Sequence, residues 1–118
     1  MSYNFKPAEI LSAAKRLIVS GGLSKHAKAR DTNGLPVWYG SPRAVSFSLQ
    51  GAVQRAVLDA TAVPAAGFAY HDAYREAYYY LRKGMEVGTP EEFDSYESST
   101  ADDAVGFLNT AVEVANAR

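Results

Sequence analysis

The chain contains no cysteine and only two histidines among its 118 residues. A structural zinc site would therefore have to be built from His26, His71 and carboxylates, which is an unusual ligand set. A chain of this length buries roughly two thirds of the surface that its unfolded form exposes, so it needs neither a disulfide nor a metal to fold. The sequence accordingly predicts no metal site and no cofactor.

Long apolar runs are also missing. The longest uncharged stretch runs from residue 60 to residue 71 and is interrupted by Pro64 and Gly67. A membrane-spanning helix needs about 20 consecutive apolar residues. The opening residues, Met1 to Lys6, lack the apolar core of a secretory signal. We therefore expect a cytoplasmic protein that does not associate with a membrane.

The familiar catalytic motifs are absent as well. The sequence has no phosphate-binding loop, no dinucleotide-binding glycine pattern, no nucleophile elbow and no pair of metal-binding histidines. His71 adjoins Asp72, but adjacent residues of a helix do not face each other, so they form no ready acid–base pair. These absences favour a non-enzymatic protein, although they leave the question of an enzyme open.

Large apolar side chains are scarce. Isoleucine, leucine, valine and phenylalanine supply 25 residues, whereas alanine alone supplies 20. Small side chains let helices approach closely, but each of them buries little area. The eight tyrosines and the single tryptophan must therefore complete the core. Assembly into a homo-oligomer is a further way to bury surface.

The net charge of −1 hides a division between the two halves of the chain. Residues 1–60 contain eight basic and three acidic residues, whereas residues 61–118 contain four basic and ten acidic residues. Such a molecule can steer a charged partner or dock head to tail with another copy. Alternatively, the two halves neutralise each other across an internal contact. Because a duplex-binding domain is normally basic, nucleic acid is not the expected partner.

Capping residues and apolar residues three to four apart predict five helices, at about 7–20, 43–60, 66–83, 90–96 and 101–118. Pro7 occupies a first helical position, with Phe5 and Ile10 as a hydrophobic staple around it. Ser41-Pro42 is predicted to open the second helix, which buries Val45, and Gly84 is predicted to end the third.

Asn33-Gly34 predicts a β-hairpin, because both residues tolerate the positive φ of a type I′ turn. The segment Leu35–Tyr39 then forms the returning strand, which should lie at an edge or pair only partly because Pro36 has no N–H to donate. Together these elements predict one α+β domain over residues 1–118. It is mainly helical, with four to five helices and a single β-hairpin between helices 1 and 2.

Three segments carry a family resemblance: the first helix with its Gly21-Gly22 end, residues 29–37 (Ala-Arg-Asp-Thr-Asn-Gly-Leu-Pro-Val), and residues 44–53 with their Leu-Gln-Gly-Ala motif. With the Thr100-capped last helix, they resemble a family of small uncharacterised bacterial and phage proteins. Ser46 and Ser48 stand where such proteins often have cysteine, and the acidic stretch 91–99 replaces their Trp-Asn-Asp-like segment. The resemblance implies this fold and a mobile-element origin, and it carries no activity.

The third helix is rich in tyrosine. Tyr70, Tyr74 and Tyr78 stand four residues apart and therefore lie on one face, which is most simply a buried stripe. Tyr79 and Tyr80 fall outside that stripe. Another face, formed by His71, Arg75, Tyr79 and Arg82, combines cations with an aromatic ring and suits an anionic group or a base.

From these patterns we expect a non-enzymatic interaction protein that binds or inhibits a protein partner through the tyrosine-rich helix and the acidic segment after it. An acidic segment can also imitate a phosphate backbone and occupy a basic groove of a nucleic-acid-handling protein. The candidate partner-binding residues are Tyr79, Arg82, Glu91, Glu92, Asp94 and Glu97.

The alternative is a site for a small, nucleotide-like anion between the hairpin and the tyrosine-rich helix. His26, Lys28 and Arg30 share one face of the predicted strand and suit either an anion or a solvated edge. The candidate ligand-binding residues are Arg30, Tyr74, Arg75 and Tyr79.

Overall fold

A computed structural model describes residues 6–61, 68–85 and 88–117. Five helices are present, α1 (Pro7–Gly21), α2 (Leu49–Thr61), α3 (Phe68–Met85), α4 (Pro90–Ser95) and α5 (Ala101–Asn116). Two short strands, β1 (Ala29–Arg30) and β2 (Ser46–Phe47), form a small antiparallel sheet between α1 and α2. The predicted α+β, mainly helical class is therefore confirmed.

The four long helices enclose one hydrophobic core. α5 packs against α1 and α3, and α2 packs against the same two helices from the other side. The largest completely buried side chains come from all four helices and from β2: Leu11, Ile18, Phe47, Leu49, Val53, Val57, Leu81 and Leu108. Alanines fill the rest of the buried faces, as expected for a chain with few large apolar residues.

Most helix ends lie where local signals predict them. Pro7 is the first residue of α1, and the helix ends at Gly22, whose φ of 87° is readily adopted only by glycine. Thr89 and Thr100 cap α4 and α5 by accepting hydrogen bonds from the N–H groups of the third residues beyond them. The predicted staple between Phe5 and Ile10 involves a residue outside the described range.

The hairpin differs from the prediction in its partner strand. A turn is present, with a φ of 81° at Gly34, and Asp31 Oδ1 accepts from the N–H of Asn33 at 2.9 Å. It is not the predicted type I′ turn, because the φ of Asn33 is not positive. After it, residues 35–39 form only an isolated bridge to Arg30 at Pro36, which is the partial pairing that the proline predicts. β1 instead pairs with β2. Because Pro36 cannot donate to a ladder, the returning segment leaves β1, whose other edge is occupied by β2.

The second helix begins six residues later than predicted from Arg43, at Leu49. Ser41-Pro42 forms a turn, in which the Ser41 hydroxyl accepts from the N–H of Arg43. The intervening residues 46 and 47 are needed for the sheet, so the helix cannot start before them. Val45, predicted to be buried in this helix, is 41% exposed.

Gly84 does not end α3. A Cβ atom at this position would lie 2.7 Å from the backbone nitrogen of Ala111, so the missing side chain lets α3 and α5 touch through their backbones. Gly51 has the same role in α2, where a Cβ atom would overlap the carbonyl group of Lys28. The prediction of close backbone packing at Gly51 is thus confirmed.

Gly84→Ala tests this packing. We expect it to lower the free energy of unfolding by about 1–3 kcal/mol, because the methyl group forces two helix backbones apart. Gly106→Ala is the matched control, since nothing lies within 4 Å of that helical glycine. This control should raise stability by up to about 1 kcal/mol through helix propensity. Urea denaturation measures both, and equal stabilisation by the two substitutions would contradict the proposed contact.

Candidate functional site

The tyrosines of α3 divide between the core and the surface. Tyr70 is buried, Tyr74 and Tyr78 are half-buried, and Tyr79 is 54% exposed. Tyr80, which the sequence places outside the buried stripe, is buried as well. That prediction is wrong because α3 packs against both α2 and α5, so a wider arc of the helix is covered.

The exposed face of α3 forms one wall of a surface groove with a volume of about 540 Å³. Arg75, Tyr79 and Arg82 stand at intervals of four and three residues and so share this face. The groove is lined by Arg75, Tyr78, Tyr79, Arg82, Lys83 and Gly88.

Three cations line this groove. Within the described residues the ion pairs are His26–Glu97 and Arg55–Asp59, so none of the described carboxylate oxygens lies within 4.0 Å of Arg75, Arg82 or Lys83. The Lys83 ammonium lies 5.2 Å from the centroid of the Tyr79 ring, a cation–π distance. The groove therefore offers positive charge next to an accessible aromatic ring.

Acids from the start of α4 lie beside the groove, next to Tyr78. Glu91 Oε1 accepts a hydrogen bond of 2.5 Å from the Tyr78 hydroxyl. Burial, followed by this hydrogen bond, raises the pKa of Tyr78 to about 12. Burial alone would raise the pKa of Glu91, but hydrogen bonds from Tyr78, the backbone and Thr89, together with the charge of Arg82, lower it. Glu91 thus remains a carboxylate at neutral pH.

Glu92 lies at the rim of the same groove. Its Oε1 is 3.6 Å from the point where a Cβ atom on Gly88 would stand, and it accepts from the Thr89 hydroxyl at 3.3 Å. Both carboxylates belong to exposed residues. The surface around the groove is therefore bipolar, because cations of α3 line the groove and carboxylates of α4 lie beside it.

Asp94, another predicted partner-binding residue, is turned toward the interior. Its carboxylate accepts from the N–H groups of Leu49 and Gln50, at 2.9 and 3.0 Å, and from the Gln50 side chain. These are unpaired donors at the start of α2, where the helix dipole also favours a negative charge. Asp94 therefore ties α4 to α2 and stabilises the fold.

Glu97 is likewise bound within the molecule, since its Oε1 lies 2.6 Å from Nε2 of His26. Beside it, the Lys25 ammonium donates to the carbonyl oxygens of Tyr96, Glu97 and Ser99. Part of the acidic segment therefore docks on the basic half of the chain, but Lys25 contacts carbonyl oxygens and not carboxylates, so this contact does not test whether the charges of the two halves neutralise each other.

The structure separates the residues of the predicted small-ligand site. Arg75 and Tyr79 come together in the groove. Arg30 instead donates to the carbonyl oxygens of Lys25 and Gly34 within its own loop. Tyr74 stacks on Tyr70 at 6.1 Å, and burial raises its pKa well above its ordinary value.

Sequence reasoning missed two groups of residues. Lys83 and Tyr78 line the groove. The four-residue spacing from Tyr79 to Lys83 is a sequence signal that indicates Lys83. A second, smaller cavity of about 320 Å³ joins His26 and Lys28 to Ser48, Gln50 and Asp94. No local sequence pattern predicts this cavity, because its two sides come together only through the contact between α4 and α2.

Over the described parts of the chain, no three metal-ligating side chains form a cluster that could hold an ion. No helix within these ranges has the length and apolar character needed to cross a membrane.

The comparison with protein families gives a single assignment. The chain belongs to DUF6197, a family of unknown function whose model matches residues 2–114. The predicted membership of an uncharacterised family is therefore confirmed. No curated protein and no solved structure matches the chain.

Asp94→Ala tests the role of the carboxylate that caps α2. We expect the free energy of unfolding to fall by about 1–2 kcal/mol, because two backbone N–H groups lose their acceptor. Asp102→Ala is the control, since this exposed acid lies in the first turn of α5, where Thr100 is the cap, and its loss should cost less than about 1 kcal/mol. Chemical denaturation of both variants checks the difference, and equal losses would contradict a specific role for Asp94.

Proposed function

We propose that this protein is a non-enzymatic interaction protein that binds or inhibits a protein partner through the bipolar groove between α3 and α4. The observation that supports the proposal is the grouping of Arg75, Arg82 and Lys83, which form no ion pair with a described residue, around the exposed Tyr79. Tyrosine and arginine are the residues most often found at the energetic centres of protein interfaces.

The charge of the groove supports a partner of mixed polarity. Cations on the α3 side attract carboxylates of the partner, while Glu91 and Glu92 attract its basic groups. Asp94 and Glu97 act indirectly in this proposal, since they hold α4 and the following loop in place. We further infer a bacterial or phage mobile-element origin and a cytoplasmic site of action, on the basis of the sequence features described above.

Two substitutions on the α3 face test the proposal. Tyr79→Ala and Arg82→Ala should each abolish capture of the partner by the immobilised protein from an extract of the organism that encodes it. Stability should change by less than about 1 kcal/mol, because exposed cation–π and charge interactions are weak. Captured proteins are identified by mass spectrometry, and thermal melting verifies folding.

Exposed residues of the same type provide matched controls outside the groove. Tyr96 is 56% exposed, close to the value for Tyr79, and Arg43 is an exposed arginine in the turn before β2. Tyr96→Ala and Arg43→Ala should retain full capture. If the groove variants capture the same proteins as the wild type, this surface is not the binding site.

A second function, binding of a nucleotide-like anion, is favoured by the groove volume of about 540 Å³, within the range of about 300–1,000 Å³ typical of small-molecule sites. Arg75 and Arg82 would bind phosphate, and Tyr79 would stack on the base. At 100 times its dissociation constant a ligand adds about 2.7 kcal/mol of stability. A thermal-shift screen with nucleotides should then raise the melting temperature of the wild type but not of Tyr79→Ala, and the absence of any shift would count against this function.

A further inference from the structure

The end of α3 and the first turn of α4 carry opposite charges next to each other, and this arrangement is suited to contact with a second copy of itself. Arg82 and Lys83 lie at the end of α3, and Glu91 and Glu92 lie in the first turn of α4. Gly88, which lines the groove, stands between them in the chain. A two-fold rotation about an axis through such a patch brings the cations of one copy opposite the carboxylates of the other, and the reverse at the same time.

We propose that a second copy of this chain binds at the groove, forming a two-fold symmetric dimer through the end of α3 and the start of α4. The inference rests on the proposed function, because it identifies the protein partner as the chain itself. Charge complementarity is the observation that carries it, since the patch supplies both halves of every ionic contact.

An exposed aromatic ring supports the same arrangement. Tyr79 is 54% exposed, and the Lys83 ammonium lies near its ring. In a symmetric dimer each Tyr79 ring is covered by the other copy and loses its contact with water, as aromatic residues of interfaces do. The scarcity of large apolar residues in the core gives this additional burial a stabilising role.

A dimer joined mainly by exposed charges has a recognisable dependence on salt. At an ionic strength of about 1 M the screening length falls to about 3 Å, which removes most of the attraction between such charges. We therefore expect sedimentation equilibrium to give a dimer at low salt whose dissociation constant rises by more than about tenfold at high salt.

Reversal of one charge at a time provides the decisive test. Arg82→Glu brings three carboxylate-bearing residues together in each half of the contact, residue 82 of one copy with Glu91 and Glu92 of the other, and Glu92→Lys brings three cations together in the same way. Each variant should be monomeric at concentrations where the wild type is dimeric, because like charges now face each other in both halves of the contact. Arg43→Glu, an exposed reversal outside the groove, should remain dimeric.

Mixing the two monomeric variants should restore a dimer. In the mixed pair, Glu at position 82 and Glu92 of one copy face Lys at position 92 and Arg82 of the other, so both contacts are again between opposite charges. A folding defect cannot produce this recovery, and circular dichroism of each variant alone verifies its fold. Sedimentation of an equimolar mixture measures the heterodimer.

Three results would overturn the inference: a wild type that stays monomeric at low salt and high concentration, reversed variants that dimerise like the wild type, or a mixture that stays monomeric. The separate capture experiment distinguishes this failure from failure of the proposed function. A monomeric wild type that still captures another protein through Tyr79 and Arg82 overturns self-association and leaves the binding function intact.

Discussion

The direct backbone contact between α3 and α5 fixes the orientation of everything that lies on the surface of α3. At Gly84 the two helices approach so closely that a single Cβ atom would stand 2.7 Å from the Ala111 nitrogen. Such a contact leaves α3 little freedom to rotate about its own axis. The orientation of α3 about its axis places Tyr80 and Leu81 in the core and leaves Tyr79 and Arg82 facing solvent. A core rich in alanine therefore still fixes which face of α3 is exposed. Small residues do this because they let the helices approach each other closely.

The position of α4 beside the groove depends on polar contacts. α4 has only six residues and buries little apolar surface, chiefly through Pro90 and Phe93. The Asp94 carboxylate binds it to the first turn of α2, and Lys25 binds the loop that follows it. At the start of α4, the hydrogen bond from Tyr78 to Glu91 joins the helix to α3. The acidic segment is thus divided between residues that hold it in place and residues that remain available.

The sequence predicts those features whose causes are local. Thr89 and Thr100 cap helices through contacts three residues away, and the periodicity of α3 correctly separates Tyr79 from Tyr70. The failures share a different cause. Gly84 was expected to end a helix, but its role depends on Ala111 of another helix.

Other differences follow the same rule. The start of α2 depends on the pairing of β1 with β2, and Asp94 meets its partners 45 residues away in the chain. Tyr80 was misplaced because a helix covered on two sides buries a wider arc than one amphipathic stripe suggests. Local chemistry therefore specifies where elements begin and end, whereas long-range packing decides which of their faces remain free.

Counting charges by halves of the chain also misrepresents the surface. Lys25 and Arg30 belong to the basic half, yet both use their donors on backbone carbonyl oxygens rather than on a partner. Arg55 does the same with the carbonyl groups of Tyr39 and Ser41 while pairing with Asp59. These three basic residues therefore donate hydrogen bonds within the molecule, and such bonds are stronger from charged donors than from neutral ones. The cations of α3 are different. They belong to the acidic half of the chain, and they donate no such hydrogen bonds to the described residues. It is their position near the carboxylates of Glu91 and Glu92, rather than the net charge of either half, that distinguishes this part of the surface.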